Sequence, residues 1–128
     1  MSLFWQLGGL LFVSKDSILK EKSMAFARRT VRLYKFLTQE KQEFVMSKQI
    51  LRSGTSIGAN IAEAIYASSR KDFVAKLQIA RKEAAETLYW LELLHSCDYI
   101  PGNLYDSIYF DCHELLLMLT SSIKSTTE

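Results

Sequence analysis

Two glycines inside an apolar segment with helical spacing constrain this chain more than any other feature. The residues that share one helical face of this segment are Ile50, Gly54, Ile57, Ile61 and Ile65. A glycine in a helix interior costs about 1 kcal/mol relative to alanine. Because Gly54, Gly58 and Ala62 recur every four residues, they form a smooth stripe on which another helix can approach closely. The segment therefore predicts a tight helix assembly.

Polar residues on the same segment distinguish it from a membrane helix, although glycine stripes also occur in dimerising membrane helices. Arg52, Asn60 and Glu63 are too polar for a lipid environment. We expect Asn60 and Glu63 to form hydrogen bonds between helices. The residues that we assign to helix packing and assembly are Gly54, Ile57, Gly58, Asn60, Ile61 and Glu63.

Apolar periodicity divides the rest of the chain into amphipathic helical segments. We predict a first helix from Asp16 or Ser17, either of which can cap it, to about Leu37. Its predicted apolar side consists of Ile18, Ala25, Leu33 and Phe36. The second helix covers about residues 43 to 67.

The third and fourth helices have continuous apolar seams. Ser68 or Ser69 is expected to cap the third helix, which ends near Ser96, and Asn103 to cap the fourth. The seams consist of Phe73, Leu77, Ala80, Ala84, Leu88, Leu91 and Leu94, and of Leu104, Ile108, Cys112, Leu115, Leu119 and Ile123. Four long helices with short connections predict an all-α fold, an antiparallel up-down-up-down four-helix bundle over residues 16–126.

The first fifteen residues form an apolar extension that precedes the bundle. A membrane-spanning helix needs about 20 apolar residues, and a secretory signal needs basic residues before the apolar run and a cleavage site after it. Neither pattern is present. We expect a segment that packs on the bundle or an upstream start that is poorly ordered, with no membrane partner.

Two cysteines flank the Pro101-Gly102 break. Cys97 lies about five residues before a turn at Gly102 and Cys112 about ten after it, a mismatch of roughly 7 Å at the helical rise. Because a disulfide tolerates little such mismatch, we predict two free thiols and a reducing, cytoplasmic location.

Charge is strongly segregated along the chain. Residues 14–82 contain 15 Lys and Arg against 6 Asp and Glu, a net charge of +9, whereas residues 83–128 contain 1 and 8, a net charge of −7. Such segregation indicates a face that binds a polyanion or electrostatic docking between subunits. A solvated mosaic of charges is the third interpretation.

The basic residues carry the functional hypothesis. We assign nucleic-acid binding to Arg28, Arg29, Arg32, Lys35, Arg52, Lys71 and Arg81. Converging cations would bind RNA or DNA phosphates without reading sequence, and no recognition motif for bases is present. Contact of the same cations with the acidic third of a neighbouring subunit is the equally weighted alternative.

Catalytic and metal-binding patterns are weak. Glu92 and His95 form one E-x-x-H pair, but a di-iron centre needs a second pair and further carboxylates. His95, Cys97, Cys112 and His113 could be considered as zinc ligands, but residues one or two apart on a helix point in different directions. We predict a protein that is not an enzyme and has no cofactor.

A family resemblance covers about residues 18 to 125. It is carried by Glu21-Lys-Ser23, Phe26-Ala27, residues 51–64, Lys71-Asp-Phe73, Ile79-Ala80, Lys82-Glu-Ala84, Glu86-Thr87, Tyr89-Trp-Leu91, Glu114-Leu-Leu116 and Leu119-Thr120. In these segments the chain resembles small bacterial four-helix-bundle proteins that were first named for reading frames within intervening sequences of 23S ribosomal RNA genes.

The resemblance implies an antiparallel four-helix bundle that assembles into a ring-like homopentamer without an established enzymatic activity. A relative, the accessory variability determinant of diversity-generating retroelements, is a pentameric barrel that binds nucleic acid and partners a reverse transcriptase. Nucleic-acid binding carries over through Arg28, Arg29, Arg32 and Arg52. Some relatives carry a basic residue where this chain has Ala62, which implies a weaker basic patch on the second helix.

Overall fold

Four long helices account for most of the chain in the computed structural model, which describes the backbone of residues 3–127 and the side chains of residues 17–127. They are α1 (Leu3–Gln39), α2 (Met46–Ile65), α3 (Arg70–Ser96) and α4 (Gly102–Thr127). Residues 3–127 contain no strand, so the predicted all-α class is confirmed. Over the same residues, no helix combines the length and the apolar character that crossing a membrane requires.

The helices pack as a closed four-helix bundle. α2 has extensive contacts with α1 and α3, α4 packs on α3, and a smaller contact between α4 and α1 closes the bundle. Residues further along α1 contact residues earlier in α4: Lys22 contacts Glu114, whereas Arg29 contacts Ser107. Each helix therefore contacts two others in the order of the chain.

The core is built from the predicted seams of α2, α3 and α4. Every predicted seam residue of α3 and α4 is buried except Leu88 and Leu104, which are half-buried. On α2, Ile50, Ile57 and Ile61 are at most 1% exposed. Full burial of one such side chain stabilises the fold by about 1.5–3 kcal/mol, so these stripes supply the main driving force for bundle formation.

The predicted apolar side of α1 is wrong at Ile18, which is 46% exposed, and at Ala25, which is also exposed. The residues of α1 that are buried are Leu19, Ser23, Phe26, Thr30, Leu33 and Leu37. Two of these are hydroxyl residues, and each donates a hydrogen bond to a carbonyl of its own helix, at 3.0 Å for Ser23 and 2.9 Å for Thr30. A buried hydroxyl that is satisfied locally is inexpensive, and a search for apolar periodicity overlooks it.

The start of α1 also differs from the prediction. The helix begins at Leu3, so neither Asp16 nor Ser17 caps it, and it ends at Gln39. The extension contains four leucines and, although Gly8 and Gly9 disfavour a helix, no proline before residue 17, so the helix can continue through both residues. The expectation that this segment packs on the bundle concerns side chains 1–16, which lie outside the described residues.

The other helix ends follow local capping chemistry. Ser69 caps α3, as predicted, because its side chain accepts a hydrogen bond of 3.0 Å from the amide of Asp72. α2 begins at Met46, later than expected. α4 begins at Gly102, so the predicted cap Asn103 lies inside the helix.

Both cysteines are free, as predicted. The Cys112 thiol is buried and lies 3.5 Å from the carbonyl oxygen of Ala84, to which it donates. Burial raises the pKa of Cys112 to about 12. Cys97 is exposed, so the two thiols lie in opposite environments.

The glycines of α2 face α1 at close range. A Cβ added to Gly54 would lie 2.7 Å from both Cγ2 and Oγ1 of Thr30, closer than van der Waals contact allows. At Gly58 the added atom would lie 3.3 Å from Oγ of Ser23 and 3.4 Å from its carbonyl oxygen. The neighbour of the glycine stripe within one subunit is therefore the hydroxyl-bearing side of α1.

Candidate nucleic-acid interface

A stripe of three exposed cations runs along the outer face of α1. Arg28, Arg32 and Lys35 follow one another by four and three residues, so they span about 10 Å along the helix axis. Within residues 17–127, none of their three side chains has an ion-pair or hydrogen-bond partner. We refer to these residues as the α1 stripe, which leaves three full positive charges available to a ligand.

Arg29 does not belong to this stripe, although it is adjacent in sequence. It is half-buried, and its guanidinium donates 2.6 Å hydrogen bonds to Oδ2 of Asp111 and to Oγ of Ser107. Two turns earlier, Lys22 pairs with Glu114 at 2.9 Å, and this hydrogen bond raises the pKa of Lys22. Both cations are thus neutralised by carboxylates of α4.

A groove of about 270 Å³ lies between α1 and α4 at these ion pairs. It is lined by Lys22, Ala25, Phe26, Arg29, Arg32, Asp111, Glu114 and Leu115. Two carboxylates face the three cations, so the groove is close to neutral and suits an anion poorly. Only Arg32 links it to the α1 stripe.

Arg52 connects α2 to α3 and is equally occupied. Its guanidinium bonds to Glu86 and lies 3.2 Å from Glu83. Glu86 also accepts a 3.1 Å hydrogen bond from the indole of Trp90. The bond to Glu86 raises the pKa of Arg52, which indicates that this residue joins two helices within the bundle.

Lys71 and Arg81 lie on α3, which has no extensive contact with α1. Lys71 is exposed and lines a cavity of about 590 Å³ with Arg70, Val74, Ala75, Gln78, Thr126 and Thr127. Arg81 is half-buried. The seven predicted binding residues therefore separate into the α1 stripe, two internally paired arginines and two cations on a different helix.

The segregation of charge along the sequence is partly cancelled inside one subunit. Four of the five ion pairs described for residues 17–127 join the basic part of the chain to its acidic part: Lys22 to Glu114, Arg29 to Asp111, and Arg52 to both Glu83 and Glu86. Sequence reasoning missed these partners. The spacing of Glu83 and Glu86 by three residues on one face was the available signal, since it suits a forked guanidinium.

The remaining assembly residues have mixed surroundings. Ile57 and Ile61 are core residues. Asn60 donates a 2.8 Å hydrogen bond to the carbonyl oxygen of Ser56 in its own helix, whereas we expected a hydrogen bond between helices. Glu63 lies 3.7 Å from Lys76 of α3, which places an ion pair across the α2–α3 contact.

The residues weighed as metal ligands are separated or occupied. The His95 ring stacks on Tyr105 with centroids 4.2 Å apart, and its Nδ1 lies 3.1 Å from the carbonyl oxygen of Ile100. Over the described side chains, no group of three or more His, Cys, Asp or Glu residues is placed to hold a metal ion. His95 instead holds the turn between α3 and α4.

Comparison with known proteins agrees with this architecture. A crystal structure of a protein of unknown function from the S23 ribosomal protein family of Bacteroides thetaiotaomicron VPI-5482 is 61% identical, with a TM-score of 0.85 over 86% of this chain and 98% of that chain. No functionally curated protein matches significantly. The model of the family described as 23S rRNA-intervening sequence protein matches residues 15–121. The chain therefore belongs to the 23S rRNA-intervening sequence protein family.

Proposed function

We propose that this bacterial protein is a non-enzymatic, cytoplasmic four-helix bundle that binds RNA or DNA through the phosphates. The binding surface is the α1 stripe, Arg28, Arg32 and Lys35, rather than all seven cations of the sequence hypothesis. The bundle is antiparallel, and its subunits assemble into a ring-like homopentamer, so a ring presents one stripe per subunit. Repetition of a weak site in this way raises the overall affinity.

The observation that carries the proposal is the contrast between paired and unpaired arginines on one helix. Arg29 contacts Asp111 at 2.6 Å, whereas Arg28 and Arg32 are exposed and have no partner among residues 17–127. Keeping unpaired like charges three to four residues apart destabilises a helix slightly. A polyanionic ligand would relieve this repulsion and release counterions.

Backbone recognition fits this surface better than reading of bases. Three cations along about 10 Å of helix match the spacing of successive phosphates but provide no fixed set of donors and acceptors for base edges. We therefore expect binding that weakens steeply with salt and differs little between sequences.

The test is a fluorescence titration of RNA and DNA across salt concentrations with the charge reversal Arg28→Glu/Arg32→Glu. We expect the double variant to lose most of its affinity, because two attractive contacts become repulsive. Lys71→Glu/Lys82→Glu is the matched control, since it makes the same change in net charge on α3. An absence of binding by the wild-type protein at low salt, or equal losses in the two double variants, would refute the proposed surface.

A separate observation favours a second function. In this alternative the protein is a structural assembly, or an adaptor that binds a protein partner such as a reverse transcriptase. An apolar groove of about 250 Å³ between α1 and α2 is lined by Lys20, Ser23, Met24, Ala27, Thr55, Gly58, Ala59 and Ala62. Small side chains on its floor suit close approach of another helix. This alternative predicts that Arg28→Glu/Arg32→Glu breaks the oligomer, as measured by light scattering, instead of reducing affinity for nucleic acid.

A further inference from the structure

The loop between α1 and α2 displays two apolar side chains to solvent. Phe44 is 54% exposed and Val45 is 72% exposed, although the preceding residue, Glu43, is buried. An exposed phenyl ring gains little from folding, because it stays in contact with water. Exposure alone does not mark a site, because Phe110 on α4 is 66% exposed, so what distinguishes Phe44 is its loop and its neighbours.

The backbone that carries Phe44 is held firmly. Glu43 is 8% exposed, and its carboxylate accepts hydrogen bonds from the amides of Val45, Met46 and Ser47 at 3.2, 3.1 and 2.7 Å. The amide of Glu43 donates to the carbonyl oxygen of Leu37 at 2.9 Å. Phe44 is therefore exposed on a loop whose backbone is fixed by hydrogen bonds. The amides of Val45, Met46 and Ser47 at the start of α2 already donate to Glu43.

Two exposed cations flank Phe44 along the chain. Lys41 and Lys48 are both exposed, and Lys48 follows Phe44 by four residues. Of the two nearby acids, Glu43 is engaged with the backbone, which leaves Glu40 as the exposed one. An aromatic ring beside cations is the combination that binds single-stranded nucleic acid, in which bases stack on the ring and phosphates contact the cations.

The α1 stripe leads to this loop. Arg28, Arg32 and Lys35 approach the end of α1 at Gln39, after which the loop begins. Tyr66 is more exposed, at 85%, but it lies at the opposite end of α2, about 30 Å away by the helical rise. Tyr66 is therefore a control for an exposed aromatic ring far from the α1 stripe.

We propose that Phe44 stacks on an unpaired nucleobase while the α1 stripe and Lys48 contact the adjoining phosphates, so that the ligand is single-stranded RNA or DNA. This inference rests on the proposed function and adds the class of nucleic acid. A duplex keeps its bases stacked inside, where a loop phenylalanine cannot reach them without a cost in unstacking.

The experiment compares an oligothymidine strand with an abasic strand of equal length by fluorescence anisotropy, using the full-length protein. Wild type should bind the strand with bases about tenfold more tightly, the scale of alanine substitutions at stacking aromatics. Phe44→Ala should remove this preference and leave abasic binding unchanged. Phe44→Trp should retain the preference, with its indole emission quenched by the bases, and Tyr66→Ala should behave as wild type.

The outcomes separate the two proposals. If wild type binds neither strand at low salt, the proposed function fails. If wild type binds both strands equally, or if Phe44→Ala weakens both equally, base stacking is refuted while phosphate binding stands. A change of oligomeric state in Phe44→Ala with an unchanged preference would assign the loop to protein contact and would also overturn the inference.

Discussion

Helix α1 is held against α2 and against α4 by different interactions. Against α2, Thr30 and Ser23 lie so near Gly54 and Gly58 that an added Cβ would be 2.7 and 3.3 Å from them. Against α4, the contact is smaller and contains the Arg29–Asp111 ion pair beside a 270 Å³ groove. One helix is thus held by close packing on one side and by partly exposed charges on the other.

This difference separates the parts of α1 that hold the fold from those that can change function. Close packing cannot be altered without strain, since interiors are nearly as dense as crystals. Exposed ion pairs contribute little to stability but determine which cations remain free. We therefore expect mutations on the α2 side to change stability, and mutations on the α4 side to change the available charge.

The largest effect is expected for Gly54→Ala. The added Cβ would lie 2.7 Å from Thr30, and overpacking of this kind costs about 1–3 kcal/mol, more than the gain of about 1 kcal/mol in helix propensity. Urea denaturation should show a lower midpoint with an unchanged slope. The matched control is Gly58→Ala, where the nearest atom would be 3.3 Å away. If the two variants are equally stable, the contact between α1 and α2 at Gly54 is less tightly packed than these distances indicate.

An intermediate effect is expected for Glu43→Ala at the loop that joins α1 to α2. Burial opposes ionisation, but hydrogen bonds from the amides of Ser47, Met46 and Val45 outweigh it and hold the pKa of Glu43 below its ordinary 4.5. Loss of such a cap costs about 0.5–2 kcal/mol.

The pH dependence of this effect has a defined sign. Because the folded-state pKa of Glu43 is lowered, the contribution is fully present above 4.5 and is lost as the pH falls through the folded-state pKa. Denaturation at neutral and at acidic pH should therefore show wild type and Glu43→Ala converging in acid. A difference that stays constant with pH would exclude the charged cap as its cause.

The smallest effect on stability is expected on the α4 side, for Asp111→Asn. The side chains of Arg29 and Asp111 are 24% and 44% exposed, so the loss should not exceed about 1 kcal/mol and should shrink with added salt. Release of Arg29 should strengthen nucleic-acid binding and steepen its salt dependence by about one unit. A titration that shows unchanged affinity would mean that Arg29 lies outside the ligand's path.

Some of the candidate site could be predicted from the sequence and some could not. Arg28, Arg32 and Lys35 were identified from helical spacing, which is local and survives folding. Arg29 and Arg52 were assigned to the same surface, but each has a carboxylate partner, Asp111 being 82 residues away in the chain. Phe44 was missed because its solvent exposure sets it apart, and the solvent exposure of a side chain cannot be read from the sequence.

The amino-acid pattern alone was sufficient for the four-helix architecture and for the seams of α3 and α4, because apolar periodicity of a helix is set within a few turns. It was also sufficient for the family, because short runs of neighbouring residues carry the resemblance. The buried side of α1, where Ser23 and Thr30 replace apolar residues, became evident only in the folded chain. The same holds for the neutralised arginines, because ion pairing depends on which distant residues folding brings within a few ångströms of each other.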